Sequence, residues 1–217
     1  MILHAVIDTN VLVSALLTSH PASPTKTVLH HVREENVTPM INGEIIEEYA
    51  EVLSRSKFNF AKTDIEDTLS LFLVKGETYT PECLRDGFAD PDDTIFYETY
   101  LMKDDAYLIT GNLKHFPSEP RILSPADIIH IIHLSGGISN KALSEPKAAY
   151  ISDINKRKLQ RAWEAIERMR ASAIENGIAD MPMEEIDEEI RLCREDRKAS
   201  TITNNKLPSV NSVGLYS

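Results

Sequence analysis

The chain opens with an apolar stretch that ends at a carboxylate. Residues 2–7 are apolar apart from His4, and Asp8 follows them directly. Such runs are typical of strands that are covered on both faces in a parallel sheet. Apolar residues then recur at helical spacing over positions 11–16. The pattern predicts a buried strand followed by a helix, with Asp8 on the turn at the carboxyl end of the strand.

Strand and helix patterns go on alternating up to residue 134. Short apolar runs predict strands at 37–41, 106–110 and 121–123. Helical periodicity predicts helices at 25–33, with Thr25 as its cap, and at 44–55, 64–74, 90–103 and 125–133. This alternation favours an α/β fold built on a central parallel sheet.

The pattern changes beyond residue 134. Gly136-Gly137 opens a stretch without clear periodicity, and the residues after it predict only two helices, at 153–175 and 184–198. The last residues are polar and predict disorder. We therefore divide the chain into an α/β domain (1–134), a linker (135–152), a helical extension (153–199) and a disordered tail (200–217).

Charge is unevenly distributed over the 217 residues, whose net charge is −11. Residues 1–134 hold 10 Lys and Arg against 21 Asp and Glu, whereas residues 135–217 hold 13 of each. A broad basic face for duplex nucleic acid is therefore not expected in the first part. Acids gathered around a cleft would need cations, either metal ions or the Arg and Lys of a partner.

Membrane spans, secretion signals and cysteine spacing in the sequence indicate the cellular compartment of the protein. Its apolar stretches are shorter than the roughly eighteen residues of a membrane span, and its first residues lack the basic start of a secretion signal. Cys83 and Cys193 lie far apart, without metal-ligand spacing, and are expected to be free thiols. We expect a cytoplasmic protein without a membrane partner.

Several acids are candidates for one shared cleft. Within the helix at 44–55, Glu48 lies about 110° from the centre of the apolar face, and Glu47 and Glu51 lie about 150° or more away. Glu48 is therefore the acid nearest the core. Each candidate also has a plain structural explanation: Asp8 as a helix cap, and Glu48 as a solvated helix flank.

Two further polar groups follow later in the chain. Asp90, Asp92 and Asp93 open a predicted helix, where the helix dipole favours acids and where Mg²⁺ or Mn²⁺ could also bind. Thr110 ends the strand predicted at 106–110 and Asn112 follows it, so both should project from the same sheet edge as the end of the first strand, although a plain glycine turn explains them too.

Taken in order, residues 2–133 resemble the PIN-domain family of metal-dependent ribonucleases, and its VapC-like toxin branch in particular. The motifs that carry the resemblance are Val6-Ile7-Asp8-Thr9-Asn10, Glu47-Glu48-Tyr49, Asp90-Pro91-Asp92-Asp93 with Phe96, and Leu108-Ile109-Thr110-Gly111-Asn112. The resemblance implies a PIN-like α/β/α sandwich, hydrolysis of RNA phosphodiester bonds with Mg²⁺ or Mn²⁺, a cognate antitoxin in a toxin–antitoxin module, and a homo-oligomer.

The resemblance also implies roles for individual residues. Asp8, Glu48 and Asp93 fall on the catalytic and metal-binding acids, and Asn10 and Thr110 fall on residues that brace them.

The family's fourth acidic position falls on Asn112, which could still contact a metal but brings no charge. A second metal ion would then be held more weakly, unless Asp90 or Asp92 compensates.

The helical extension is similar to the carboxyl-terminal part of antitoxins encoded beside such toxins, over residues 174–178 and 183–190. This similarity implies a toxin fused to an antitoxin-like segment, in which Arg191, Arg194 or Arg197 could reach the acidic cleft. The alternative is an amphipathic helical pair that covers the sheet or mediates oligomerisation.

Two other classes of function remain open. In the first, the chain is a catalytically weak or inactive binding module that acts through protein contacts, and Asn112 marks a degraded site. In the second, it is a doubly wound phosphatase or receiver domain. The phosphatase is disfavoured because it would need an acid two residues after Asp8, where Asn10 stands.

Overall fold

The computed structural model describes residues 2–81, 93–134 and 149–204. Its strands are β1 (Leu3–Ile7), β2 (Val37–Ile41), β3 (Glu77–Thr78), β4 (Tyr107–Ile109) and β5 (Ile122–Leu123). Its α-helices are α1 (Thr9–Leu17), α2 (Pro24–Arg33), α3 (Gly43–Leu53), α4 (Lys62–Lys75), α5 (Thr94–Leu101), α6 (Pro125–Leu134), α7 (Ala149–Glu175) and α8 (Met183–Asn204).

The five strands of the described ranges form one parallel sheet in the order β3-β2-β1-β4-β5. The predicted α/β fold is thus confirmed. Because β1 is the central strand, its side chains are covered on both faces, which explains the unbroken apolar run. Ile7 of β1 pairs with Ile109 of β4, so Asp8 and Thr110 leave the sheet side by side.

Some elements differ from their predicted bounds. The helix expected from Asp90 begins at Thr94, with Asp93 at its N-cap, while Asp90 and Asp92 lie outside the described residues. Helix α2 is preceded by Ser23 as N-cap rather than by Thr25, because Pro24 takes its first position. Strand β3 was not predicted, since two residues are too short to carry a periodic pattern.

Helices α7 and α8 are longer than predicted. Helix α7 begins at Ala149, inside the predicted linker, and α8 continues to Asn204, beyond the predicted start of disorder. Extending an existing helix costs much less than nucleating one, so weak helix formers at its ends are included. None of the helices in the described ranges combines the length and apolarity needed to cross a membrane.

Helix α7 packs against α4 and α1 and contributes to the main core. Ala162, Ile166 and Met169 are buried in the same apolar cluster as the sheet. At its side, Trp163 lies under the guanidinium of Arg33, with 4.6 Å from Cζ to the ring centre. Helix α7 therefore covers helices rather than the sheet. The predicted α/β domain that ends at residue 134 stays a prediction, since α7 shares the core of that domain.

The role of α7 in the core can be tested with two substitutions of the same kind. Ile166→Ala removes a fully buried side chain and should lower the free energy of unfolding by about 2–5 kcal/mol. Ile174→Ala, on the same helix but 57% exposed, should change it by less than about 0.5 kcal/mol. Urea denaturation followed by circular dichroism measures both, and equal effects would contradict the packing described.

Candidate active site

Asp8 directly follows the central strand β1, at the carboxyl end of the sheet's strands. Its backbone N–H donates to the carbonyl of Ile109 at 2.9 Å, which continues the β1–β4 pairing by one residue. Its Oδ2 accepts a hydrogen bond from the Thr110 hydroxyl at 2.6 Å. Among the described residues, this carboxylate therefore bonds to the neighbouring strand end and does not cap α1. Asp8 is thus the N-cap residue of α1 by position, as the capping explanation expects, but its side chain makes no capping hydrogen bond.

Glu48 reaches the same place from α3. It is 2% exposed, whereas Glu47 is exposed, as the helical geometry predicted. Its Oε1 accepts from the hydroxyl of Thr9 at 2.6 Å. The hydroxyl of Tyr49, the next residue, donates to the carbonyl of Ile7, so α3 is held against the end of β1.

Asp93 comes from the residue before α5 and is also buried. Its Oδ1 accepts from Arg194 of α8 at 2.9 Å, and its Oδ2 lies 3.1 Å from Nδ1 of His115. Asp8, Glu48 and Asp93, called here the acid cluster, thus come from three different elements and converge on one buried volume.

A cation from α8 lies within the acid cluster. Arg194 is 5% exposed and contacts both oxygens of Glu48, with Nη2 to Oε1 at 2.9 Å and Nε to Oε2 at 3.2 Å. Its Nη1 donates to Asp93. Burial lowers the pKa of Arg194, but the two carboxylates outweigh this effect and raise the pKa above its ordinary range. The guanidinium therefore stays charged.

The acid cluster still carries an excess of negative charge around Asp8. Burial, followed by the charge of Asp93, raises the pKa of Asp8 to about 7, and Glu48 adds to this rise. The hydrogen bond from Thr110 and the charge of Arg194 offset only part of it. A further cation beside Asp8 would therefore favour the charged form of this carboxyl.

A second group of side chains lies beside the acid cluster. Asn10 and Asn112, called here the amide pair, each donate from Nδ2 to the carboxylate of Asp187 in α8, both at 3.1 Å. Asp8 and Asp93 of the acid cluster line a cavity of about 450 Å³ together with His115 and with residues of α8 that include Arg191. The cleft expected at the strand ends is thus present, with α8 lying across it.

The three candidate arginines have different surroundings. Arg194 is in the acid cluster, whereas Arg197 binds Glu51 at its rim, with Nε to Oε2 at 2.5 Å. Arg191 borders the cavity, but its guanidinium pairs with exposed Glu188 and Glu195 of its own helix.

Three contacts of the site were missed in the sequence. Thr9 directly follows Asp8, but a single Thr carries no distinctive pattern. His115 has no partner at metal-ligand spacing in the sequence. Asp187 could have been noticed, because it precedes Arg194 by seven residues and so lies on the same helix face.

Comparison with known families agrees with this fold and site. The model of the PIN domain matches residues 4–114, just over half of the chain, and the chain belongs to this family. PIN domains are generally nucleases, which supports a nuclease role for this chain. No curated protein and no solved structure matches the sequence.

PIN domains typically use divalent metals, so the site must be compared with the needs of such an ion. In the parts of the chain that the structure describes, no three His, Cys, Asp or Glu side chains are arranged as a metal site. The guanidinium of Arg194 bridges Glu48 and Asp93 instead. Carboxylate oxygens are the ligands that Mg²⁺ and Mn²⁺ prefer, so the acid cluster has suitable donor atoms, which Arg194 neutralises in this structure.

Proposed function

We propose that this protein is a Mg²⁺- or Mn²⁺-dependent endoribonuclease that its own helix α8 restrains. The observation that carries the proposal is the burial of Arg194 against Glu48 and Asp93. A buried guanidinium and a divalent ion would neutralise the same carboxylates, so they would exclude each other. Removal of α8 would expose the cleft to substrate and the acid cluster to metal.

Each residue of the site has a proposed role. Asp8, Glu48 and Asp93 would hold the metal, with Asn112 as a neutral fourth ligand. A bound Mg²⁺ or Mn²⁺ would activate water and offset the negative charge of the scissile phosphate. The hydroxyls of Thr110 and Thr9 donate to the first two acids and would keep their oxygens oriented.

We further propose that the protein is the toxin component of a toxin–antitoxin module. The sequence similarity of residues 183–190 to antitoxins supports this, together with the position of α8 over the acid cluster. Helix α8 would then take the place of a cognate antitoxin in the same chain. RNA would be the substrate, and we expect a cytoplasmic homo-oligomer.

Asn112 favours a competing proposal, in which the site has lost catalysis and the protein is a binding module. The three acids of the cluster are nevertheless present and buried together, which favours the enzyme. Metal-dependent cleavage distinguishes the two proposals.

The test uses a chain that ends at Pro182, which lacks α8 but keeps α7 in the core. With Mg²⁺ or Mn²⁺ it should cleave a mixed RNA substrate at least about tenfold faster than the full chain, because the site is open. EDTA should abolish cleavage, since the carboxylates alone cannot stabilise the charge that develops on the phosphate. Initial rates are read from the products on denaturing gels.

The control is the same shortened chain with Asp8→Asn, which should be inactive. Circular dichroism and thermal unfolding confirm that each variant is folded. Absence of cleavage by a folded shortened chain, with either metal, would contradict the nuclease and favour the binding module.

A further inference from the structure

The amide pair has a fixed orientation that prepares it for a carboxylate. Oδ1 of Asn10 accepts from the backbone N–H of Gly111 at 2.9 Å, and Oδ1 of Asn112 accepts from that of Lys114 at 3.4 Å. Since each side-chain oxygen faces a backbone donor, each Nδ2 group faces the other way, toward α8. Two N–H donors therefore point at the same place.

Asp187 occupies the place to which these donors point. One of its carboxylate oxygens accepts from Asn10 and the other accepts from Asn112. Asp187 precedes Arg194 by seven residues, so the two side chains project from one face of α8 about two turns apart. Helix α8 thus presents a negative group to neutral amides and a positive group to the acid cluster.

The turn between β4 and the following residues allows α8 to come this close. A Cβ atom at Gly111 would lie 2.5 Å from Cε and 2.7 Å from Sδ of Met183, the first residue of α8. Gly111 thus leaves room for the start of the helix beside the amide pair. Any larger residue there would require the Met183 side chain to move.

We infer that the amide pair is a carboxylate-binding site that selects the restraining helix. Its ligand is a helix that carries an Asp two turns before an Arg, and Asn112 serves this recognition because an acid there would repel Asp187. The regulatory meaning of this inference rests on the proposed function, in which α8 restrains the nuclease. The recognition itself is a property of the folded chain.

The test measures hydrogen exchange of the α8 backbone amides in the full chain, in EDTA and without RNA. Asn112→Asp should speed exchange in α8 by about tenfold, because two carboxylates then face each other and a hydrogen bond is lost. The double variant Asn112→Asp with Asp187→Asn should return to within about threefold of the original rate, since the pairing is restored with its polarity reversed.

Two references make the result specific. Exchange in β1 reports global unfolding and should speed by no more than exchange in α8, because the lost contact lowers the stability of the whole fold. Asn155→Asp, an Asn on α7 that borders a groove with Ile2 and Glu35, controls for added charge. Unchanged α8 exchange in Asn112→Asp would overturn the inference, and so would a double variant that exchanges as fast as the single one. A chain that passes this test but cleaves no RNA would disprove the nuclease and leave the helix recognition standing.

Discussion

Arg194→Met in the full chain is expected to raise metal-dependent RNA cleavage by roughly 100-fold. The guanidinium makes three hydrogen bonds to Glu48 and Asp93 in a buried position. Breaking a buried ion pair costs about 3–5 kcal/mol, and roughly 1.4 kcal/mol corresponds to a tenfold change in an equilibrium. The docking of α8 should therefore weaken by at least two orders of magnitude. Initial rates with Mg²⁺ or Mn²⁺ measure the effect.

The same variant should lose about 3–5 kcal/mol of unfolding free energy in EDTA, because two buried carboxylates lose their cation. Added Mg²⁺ should restore part of this loss by binding the folded state. Arg191→Met is the matched control, since its guanidinium borders the cavity but pairs with exposed Glu188 and Glu195 of its own helix rather than with the acid cluster. The control should change stability by less than about 1 kcal/mol and leave cleavage unchanged. Equal cleavage by the two variants would contradict restraint by Arg194.

Asp8→Asn, placed in the Arg194→Met background, is expected to reduce cleavage by about 1,000-fold or more. Asp8 is the acid on the central strand, and its replacement by an amide keeps the shape but removes the charge from the proposed metal site. Losses of this size are typical when a group that stabilises the transition state is removed. Residual cleavage close to that of the parent variant would exclude Asp8 as a catalytic acid.

The same substitution should leave the protein at least as stable in EDTA at pH 8. Burial and the charge of Asp93 raise the pKa of Asp8 in the folded chain to about 7, above its ordinary value. At pH 8 the carboxyl is ionised, and its ionisation costs less in the unfolded chain than in the folded one. An amide removes this cost and can still accept the hydrogen bond from Thr110. We expect a gain of the order of 1 kcal/mol in urea denaturation. Asp105→Asn, an exposed acid, should be neutral in both assays.

Much of the site could be predicted because it depends on local patterns. The apolar run that ends at Asp8 indicated a buried strand with a carboxylate at its end. A central strand is apolar throughout because both of its faces are covered. Helical geometry singled out Glu48, since the phase of a helix follows from its apolar positions alone. The motifs that contain these acids also led to the PIN-domain family, to which the chain belongs.

Other features needed the tertiary structure. Arg191, Arg194 and Arg197 are spaced three residues apart and spread over about 120° around α8, so any of them could have faced the cleft. Only the docking of α8 on α1 and α3 brings Arg194 into the acid cluster. The contact of Asp187 with the amide pair depends on the same docking.

The sequence by itself thus determined most of the elements, the order of the acids and the family, because these follow from hydrophobic periodicity and from motifs within single segments. Tertiary structure alone decided that α7 belongs to the core and that α8 brings a cation to the acid cluster. Both depend on pairings between residues more than a hundred positions apart, such as Arg194 with Glu48. Helical periodicity specifies which face of a helix is apolar, but the complementary surface that covers it exists only after the chain has folded.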